Sequence, residues 1–185
     1  MSDYEEKYSY GSWSTEQESV AFIKDLLVKS QLFTIYNEVK GRLLFMKPYQ
    51  EQIGMRIDMV LSPKPKLCNA GWDRGAIGLE CKKSGLKLNH PFAQAEDYSN
   101  TVWKLPVGFL FMCEYSFLWP FHKMSGFRAS QMAQKKIGTL EYEDAEWGGP
   151  TLKFYCGEAK VIKYRFRNDS IEIGNLNFGN QTGSR

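Results

Sequence analysis

The sequence predicts an α/β domain in which helices and strands alternate before a strand-rich last third. Three observations carry this expectation. Val20, Phe22, Ile23, Leu26 and Leu27 recur at helical spacing, two short strand-like runs flank a turn-rich loop between residues 55 and 82, and period-two alternation returns after Thr139. A chain of 185 residues suits one domain with a sizeable core, and its 43% hydrophobic content excludes a disordered or low-complexity protein. Residues 1–13 read as a flexible arm, 14–174 as a single domain, and the Asn/Gly-rich residues 175–185 as a flexible tail.

The first helix is expected to begin at Ser14, with Gln17 at the capping-box position. Projected on its wheel, Glu16 falls near the middle of the apolar face and Glu18 points away. An inward acid is costly unless partnered; alternatively, Glu16 sits in the wet first turn, where it favours the helix dipole. Leu32 to Val39 reads as strand or irregular chain broken by Gly41. Leu43 to Met46 reads as a buried strand closed by Pro48, able to pair antiparallel with the run carrying Asp58. Ser62 to Arg74 is a turn-rich loop that offers Lys64, Lys66 and Arg74 to a polyanion.

Ala76 to Lys82 is the next expected strand. Period-two alternation places Ile77, Leu79 and Cys81 on one face and Gly78, Glu80 and Lys82 on the other. A helix should follow from about Phe92 to Trp103, entered through Asn89-His90-Pro91, with Gln94 and Tyr98 four residues apart and able to reach one neighbour. His90 reads as a helix-entry residue rather than a metal ligand. Phe109 to Cys113 looks like a strand buried on both sides, and Tyr115 to Phe121 is an aromatic run interrupted by Pro120. Ser125 to Ile137 is helical in character, with Phe127, Met132 and Ile137 as packing residues and Gly138 as its end. Four strands are expected beyond it: 139–143, 151–155, 161–166 and 170–173.

Composition narrows the chemistry only in part. A formal charge of +3 permits a nucleic-acid partner without requiring one, since local patches matter more than totals. The four cysteines are scattered and form no Cys-x-x-Cys pair, which argues against a zinc site or a disulfide framework and suits a reducing, intracellular setting. No apolar run is long enough to span a bilayer, so no membrane partner is expected. A Gly-rich phosphate loop followed by Lys-Ser or Lys-Thr is missing, so ATP hydrolysis is not indicated.

Asp58, Glu80 and Lys82 carry the chemical expectation. Two hard carboxylate ligands suit Mg2+ or Mn2+, the Cys81 carbonyl can add a third protein ligand, and a lysine beside them can orient water or stabilise charge at an attacked phosphorus. Lys83, Lys87, Lys123 and Arg128 are candidates for a nucleic-acid track. Trp103, Tyr115, Trp119 and Phe121 are either stacking surfaces or core.

Asp58, the Glu80-Cys81-Lys82 triplet and Gln94-x-x-x-Tyr98 together resemble the signature of the PD-(D/E)xK nuclease superfamily, most closely its RecB-like exonuclease branch. The match runs from Ser14 to about Met112, with Ile57 standing where the family name has proline. The resemblance implies a restriction-endonuclease-like mixed central sheet flanked by helices, here with a strand-rich C-terminal extension. It also implies divalent-metal hydrolysis of DNA phosphodiesters, in DNA repair or recombination. Asp58 and Glu80 would bind metal, Glu16 would add an acid from the first helix, Lys82 would assist the attacking water, and Gln94 and Tyr98 would support the site and bind DNA. Some members hold an iron-sulfur cluster, whose cysteine grouping Cys68, Cys81, Cys113 and Cys156 do not reproduce. An exonuclease is expected; the alternatives are a structure-specific endonuclease and a non-catalytic nucleic-acid-binding module. RNA stays open as a substrate, as does a homo-oligomer or a host or viral recombination partner. The expected location is cytoplasmic or nucleoid-associated, or nuclear in a eukaryotic host.

Overall fold

The computed structural model describes residues 13–44, 54–87, 89–106, 108 and 110–174. All of the expected arm except Trp13, and the whole of the expected tail, lie outside the described residues. Within them, helices α1 (Glu16–Ser30), α2 (Pro65–Asn69), α3 (Asn89–Ser99) and α4 (Gly126–Gln134) surround one ten-stranded sheet. Its strands are β1 (Phe33–Leu43), β2 (Gly54–Pro63), β3 (Ile77–Cys81), β4 (Thr101–Lys104), β5 (Leu110–Phe111), β6 (Tyr115–Trp119), β7 (Ile137–Ala145), β8 (Gly149–Cys156), β9 (Ala159–Arg165) and β10 (Ser170–Ile173). They lie in the order β10-β9-β8-β7-β6-β3-β2-β1-β4-β5. The pairs β3–β6 and β6–β7 are parallel and the others antiparallel, so the sheet is mixed. This is an α/β fold consistent with a restriction-endonuclease-like arrangement. The strand-rich last third continues the central sheet rather than standing apart from it.

Helix α1 starts one residue later than its expected cap. Thr15 is the N-cap, its hydroxyl accepts the Glu18 N–H at 3.2 Å, and Glu18 accepts the Thr15 N–H at 3.3 Å. Ser14 also donates to Glu18, through its backbone and its hydroxyl. A charged acceptor at the third helical position outcompetes the Gln17 amide for these donors. Ile23, Leu26 and Leu27 of α1 and Leu67 of α2 pack on one face of the sheet, against Met59, Leu61, Ile77, Leu79, Cys81, Phe117 and Trp119. Tyr98 and Ala95 of α3 and Met132 of α4 cover the opposite face, against Ile57, Val60, Trp103, Leu118 and Ile137. The predicted alternation of β3 holds, with Ile77, Leu79 and Cys81 on the α1 side.

Several expectations shift, each for a physical reason. Gly41 does not break the first strand; it lies inside β1, where a Cβ would come within 2.5 Å of Thr101 and 2.6 Å of Trp103. Only Leu43 of the expected 43–46 strand belongs to β1; Leu44 is exposed, and Phe45 and Met46 lie outside the described residues. The loop after β2 holds the short helix α2, and two of its three cations are engaged with protein: Lys66 meets Asp169 and the Ser30 carbonyl, and Arg74 meets Asp73 and Glu114.

Helix α3 stops at Ser99, short of Trp103. Ser99, Asn100 and Thr101 turn their side chains onto the carbonyls of Glu96 and Asp97, which competes with continued helix, and β4 begins at once. The run at 109–113 is not a doubly buried strand. Leu110 and Phe111 form the sheet's edge strand, with Leu110 65% exposed, and the central position belongs to the fully buried β6. Helix α4 ends at Gln134, Phe127 lies exposed rather than packed, and Ile137 and Gly138 start β7. All four strands expected in the last third are present as β7 to β10.

Candidate metal centre

The residues that converge are brought together by the end of one ladder. The last register pair between β2 and β3 is Met59 with Leu79. At the next position the Asp58 side chain, not a β2 carbonyl, takes the Cys81 N–H, with Oδ2 at 2.7 Å. The two strands part there, and the opening holds the carboxylate of Asp58 beside that of Glu80. Glu16 reaches the same place from the first turn of α1, whose N-terminus lies at this end of the sheet. Carboxylate oxygens of Glu16, Asp58 and Glu80 lie within 4.8 Å of one another.

Lys82 ties this cluster together. Its Nζ donates to Glu80 Oε1 at 2.5 Å and to Glu16 Oε1 at 3.2 Å. Glu80 and Lys82 are buried, while the Glu16 side chain is 47% exposed. Glu16 is thus both half-wet and turned inward, which joins its two expected placements.

Burial and the neighbouring Asp58 carboxylate push the Glu80 carboxyl up to about 7 against the pull of Lys82. Burial likewise raises Asp58, opposed by its bond from the Cys81 N–H. Lys82 is held above its ordinary value, because its bonds to Glu80 and Glu16 outweigh the burial that favours the neutral amine. Three acids facing one ammonium leave an excess of negative charge that a cation would offset.

Helix α3 buttresses the site. The Gln94 amide donates to the Tyr98 hydroxyl at 2.6 Å, and that hydroxyl donates to the Arg56 carbonyl at 2.8 Å, two residues before Asp58. Burial and the Glu80 carboxylate raise the Tyr98 hydroxyl, which stays protonated and keeps donating. The spacing of Gln94 and Tyr98 signals their pairing; nothing in the sequence signals the Arg56 carbonyl as their target. The Cys81 side chain lies in the core on the α1 side, so only its backbone faces the site.

These residues fit a hard divalent cation. Glu80 Oε2 is buried without a hydrogen-bond partner among the described residues, an orphan that a metal ion would satisfy. An octahedral Mg2+ or Mn2+ needs ligand oxygens roughly 3–4 Å apart, within small side-chain adjustment of the spacing here. Comparison with protein-family models, with curated proteins and with solved structures finds no match to this chain. The arrangement is a nuclease-like acidic cluster able to chelate a divalent cation.

The other sequence candidates fall elsewhere. Trp103, Tyr115 and Trp119 are core, and Phe121 is half-buried. Lys123 lies over the Tyr155 ring, and Arg128 bonds Asn89 above the Phe92 ring. Lys83 and Lys87 are exposed near the end of β3. Among the described residues, no helix is long and apolar enough to cross a membrane.

Proposed function

We propose that this chain is a divalent-metal-dependent deoxyribonuclease that hydrolyses phosphodiester bonds in DNA, acting as an exonuclease of the RecB-like kind. The observation that carries this reading is the Lys82 ammonium held between Glu80 and Glu16 beside Asp58, at the point where β2 and β3 separate. Asp58 and Glu80 would hold Mg2+ or Mn2+, with Glu16 and the Cys81 carbonyl completing the protein ligands. When bound, such an ion supplies Lewis-acid stabilisation of the charge that develops on a phosphoryl oxygen.

The chain's own groups account for the rest. Lys82 is protonated at neutral pH, so its contribution is positive charge and orientation, not proton abstraction. Its ammonium holds a water in line with the phosphorus–oxygen bond to be broken and offsets charge on the phosphorane. Tyr98, fixed by Gln94, holds the β2 backbone beside Asp58, and with it the carboxylate that receives the ion.

The test is cleavage of end-labelled linear DNA and closed circular DNA with magnesium, manganese or chelator, comparing the native protein with Lys82→Ala. Metal-dependent loss of linear DNA that spares the circle supports the exonuclease. Cutting of the circle makes the protein an endonuclease, and equal cutting by Lys82→Ala rules out the site.

A further inference from the structure

The strand registers place the acidic cluster at the bottom of a notch in the sheet. Glu80 is level with Leu118 on β6, and Leu118 with Thr139 on β7. β3 and β6 end one residue later, but β7 runs on for six residues to Ala145, roughly 20 Å further at about 3.3 Å per residue. On the other side, β2 extends four residues past Asp58 to Gly54, roughly 13 Å by the same rise, paired with β1 and through it with β4. Two walls therefore rise past the site, β7–β8 on one side and β2–β1–β4 on the other. The twist of about 20–25° at each of three strand steps splays them apart.

The walls differ in charge. Lys40 is in register with both Arg56 and Lys104, so the three side chains form a row across three strands on one face, at the ~4.8 Å strand spacing. Arg42 follows on the same face of β1. All four are exposed, while Val39, Ile57 and Trp103 beside them in sequence turn into the opposite, α3-side core. Among the described residues, Lys40, Arg42 and Lys104 make no ion pair, and Arg56 meets only Glu38, at 3.8 Å. Arg56 lies two residues before Asp58 on β2, so the row begins beside the site. The facing wall carries Asp144 and Glu146 at its end, both exposed and without an ion pair among the described residues; Arg167 is the cation nearest the tip, bonded to the Trp147 carbonyl.

We propose that the row Lys104–Lys40–Arg56, with Arg42, is the phosphate-binding surface that lays the DNA substrate against the β2–β1–β4 wall and leads its backbone to the acidic cluster. Cations at strand spacing, with no ion pair among the described residues beyond the 3.8 Å contact of Arg56 with Glu38 and next to carboxylates that would hold a cation, suit a polyanion whose phosphate is delivered to that cation. The acidic β7–β8 wall repels the same backbone, which sets the side of the notch the strand occupies. This assignment rests on the reading of the site as one that acts on phosphodiesters.

The test is fluorescence-anisotropy binding of labelled single-stranded and duplex DNA across a salt titration. It uses the native protein in chelator and the Lys82→Ala protein in magnesium. In each, Lys40→Ala/Lys104→Ala is compared with Lys160→Ala/Lys163→Ala on the distant β9. The first pair should lower affinity on the order of tenfold near 0.1 M salt and reduce the salt slope by about 1.5, the loss of two phosphate contacts; the second pair should leave both unchanged. Unchanged binding in the first pair, an equal loss in both pairs, or no binding by either parent protein overturns the proposal. Binding that depends on Lys40 and Lys104 in a native protein that cuts no DNA keeps this surface and removes the nuclease. Cutting with binding indifferent to these lysines does the reverse.

Discussion

The Asp58 carboxylate accepts the backbone N–H of Cys81 at 2.7 Å, standing in for the strand carbonyl that would otherwise continue the β2–β3 ladder. One side chain thereby ends a strand pairing and anchors itself at the opening it creates. Its carboxylate is thus held in one cluster with those of Glu80 and Glu16, and the site's geometry follows from that.

Divalent metal should stabilise the fold through this cluster. At a hundredfold excess over its dissociation constant, Mn2+ or Mg2+ adds about 2.7 kcal/mol, which raises Tm by about 5 °C or more for a chain of this size. Differential scanning calorimetry of the native protein, Asp58→Asn and Glu80→Gln should show the rise only in the first. A full rise in both variants would place the ion elsewhere.

Stability without metal should fall as pH rises through the neutral range. Burial, together with the Asp58 carboxylate, pushes the Glu80 carboxyl up to about 7 in the folded protein from its ordinary 4.5. The folded state is therefore unpenalised below about 4.5 and loses up to about 3 kcal/mol by the time pH has passed 7. Asp58, also raised, acts in the same direction, whereas the lowered Glu18, Asp169 and Glu172 act with opposite sign and in a more acidic window. Urea unfolding in chelator between pH 5 and 8 should decline in the native protein and flatten in Glu80→Gln. Parallel curves would contradict the assignment.

Removing the ammonium should be worse than removing the pair. Lys82→Met leaves Glu80 buried beside Asp58 without its counter-charge and should cost about 3 kcal/mol at pH 8. Lys82→Met/Glu80→Gln should recover most of this, because the unpaired charge is gone. A double-mutant cycle by chemical denaturation with no coupling between the positions would mean that the contact is energetically idle.

Tyr98→Phe removes the donor to the Arg56 carbonyl and should destabilise by about 1–2 kcal/mol. If the hydroxyl positions β2 for catalysis, kcat for DNA cleavage should drop while KM stays near its native value. A change confined to KM would make Tyr98 a substrate-binding group instead.

Gly138→Ala tests the placement of β7 against β6. A Cβ there would lie 2.3 Å from the Tyr155 carbonyl and 2.4 Å from the Phe117 ring, so the substitution should cost at least about 2 kcal/mol. Gly75→Ala, whose nearest neighbour would be 3.9 Å away, should be close to neutral by the same thermal melt.

What the sequence determined by itself is what local chemistry decides. The apolar face of α1, the alternation of β3, and the four strands of the last third follow from side-chain period, because burying one face of an element selects that period. Asp58, Glu80, Lys82, Gln94 and Tyr98 were legible as candidates because their types and spacings are local facts, and the fold brings them to one end of the sheet.

The tertiary structure decided what depends on which strands become neighbours. Leu110 and Phe111 are as apolar as a central strand, yet they lie at the sheet's edge, while Tyr115–Trp119, interrupted by proline at its end, takes the centre. Hydrophobicity measures what a strand can bury, not where pairing places it. The row of Lys40, Arg56 and Lys104 is the sharper case. Those residues lie far apart along the chain, and only the registers of β1 with β2 and β4 set them side by side, because a ladder aligns side chains by pairing and not by position in sequence.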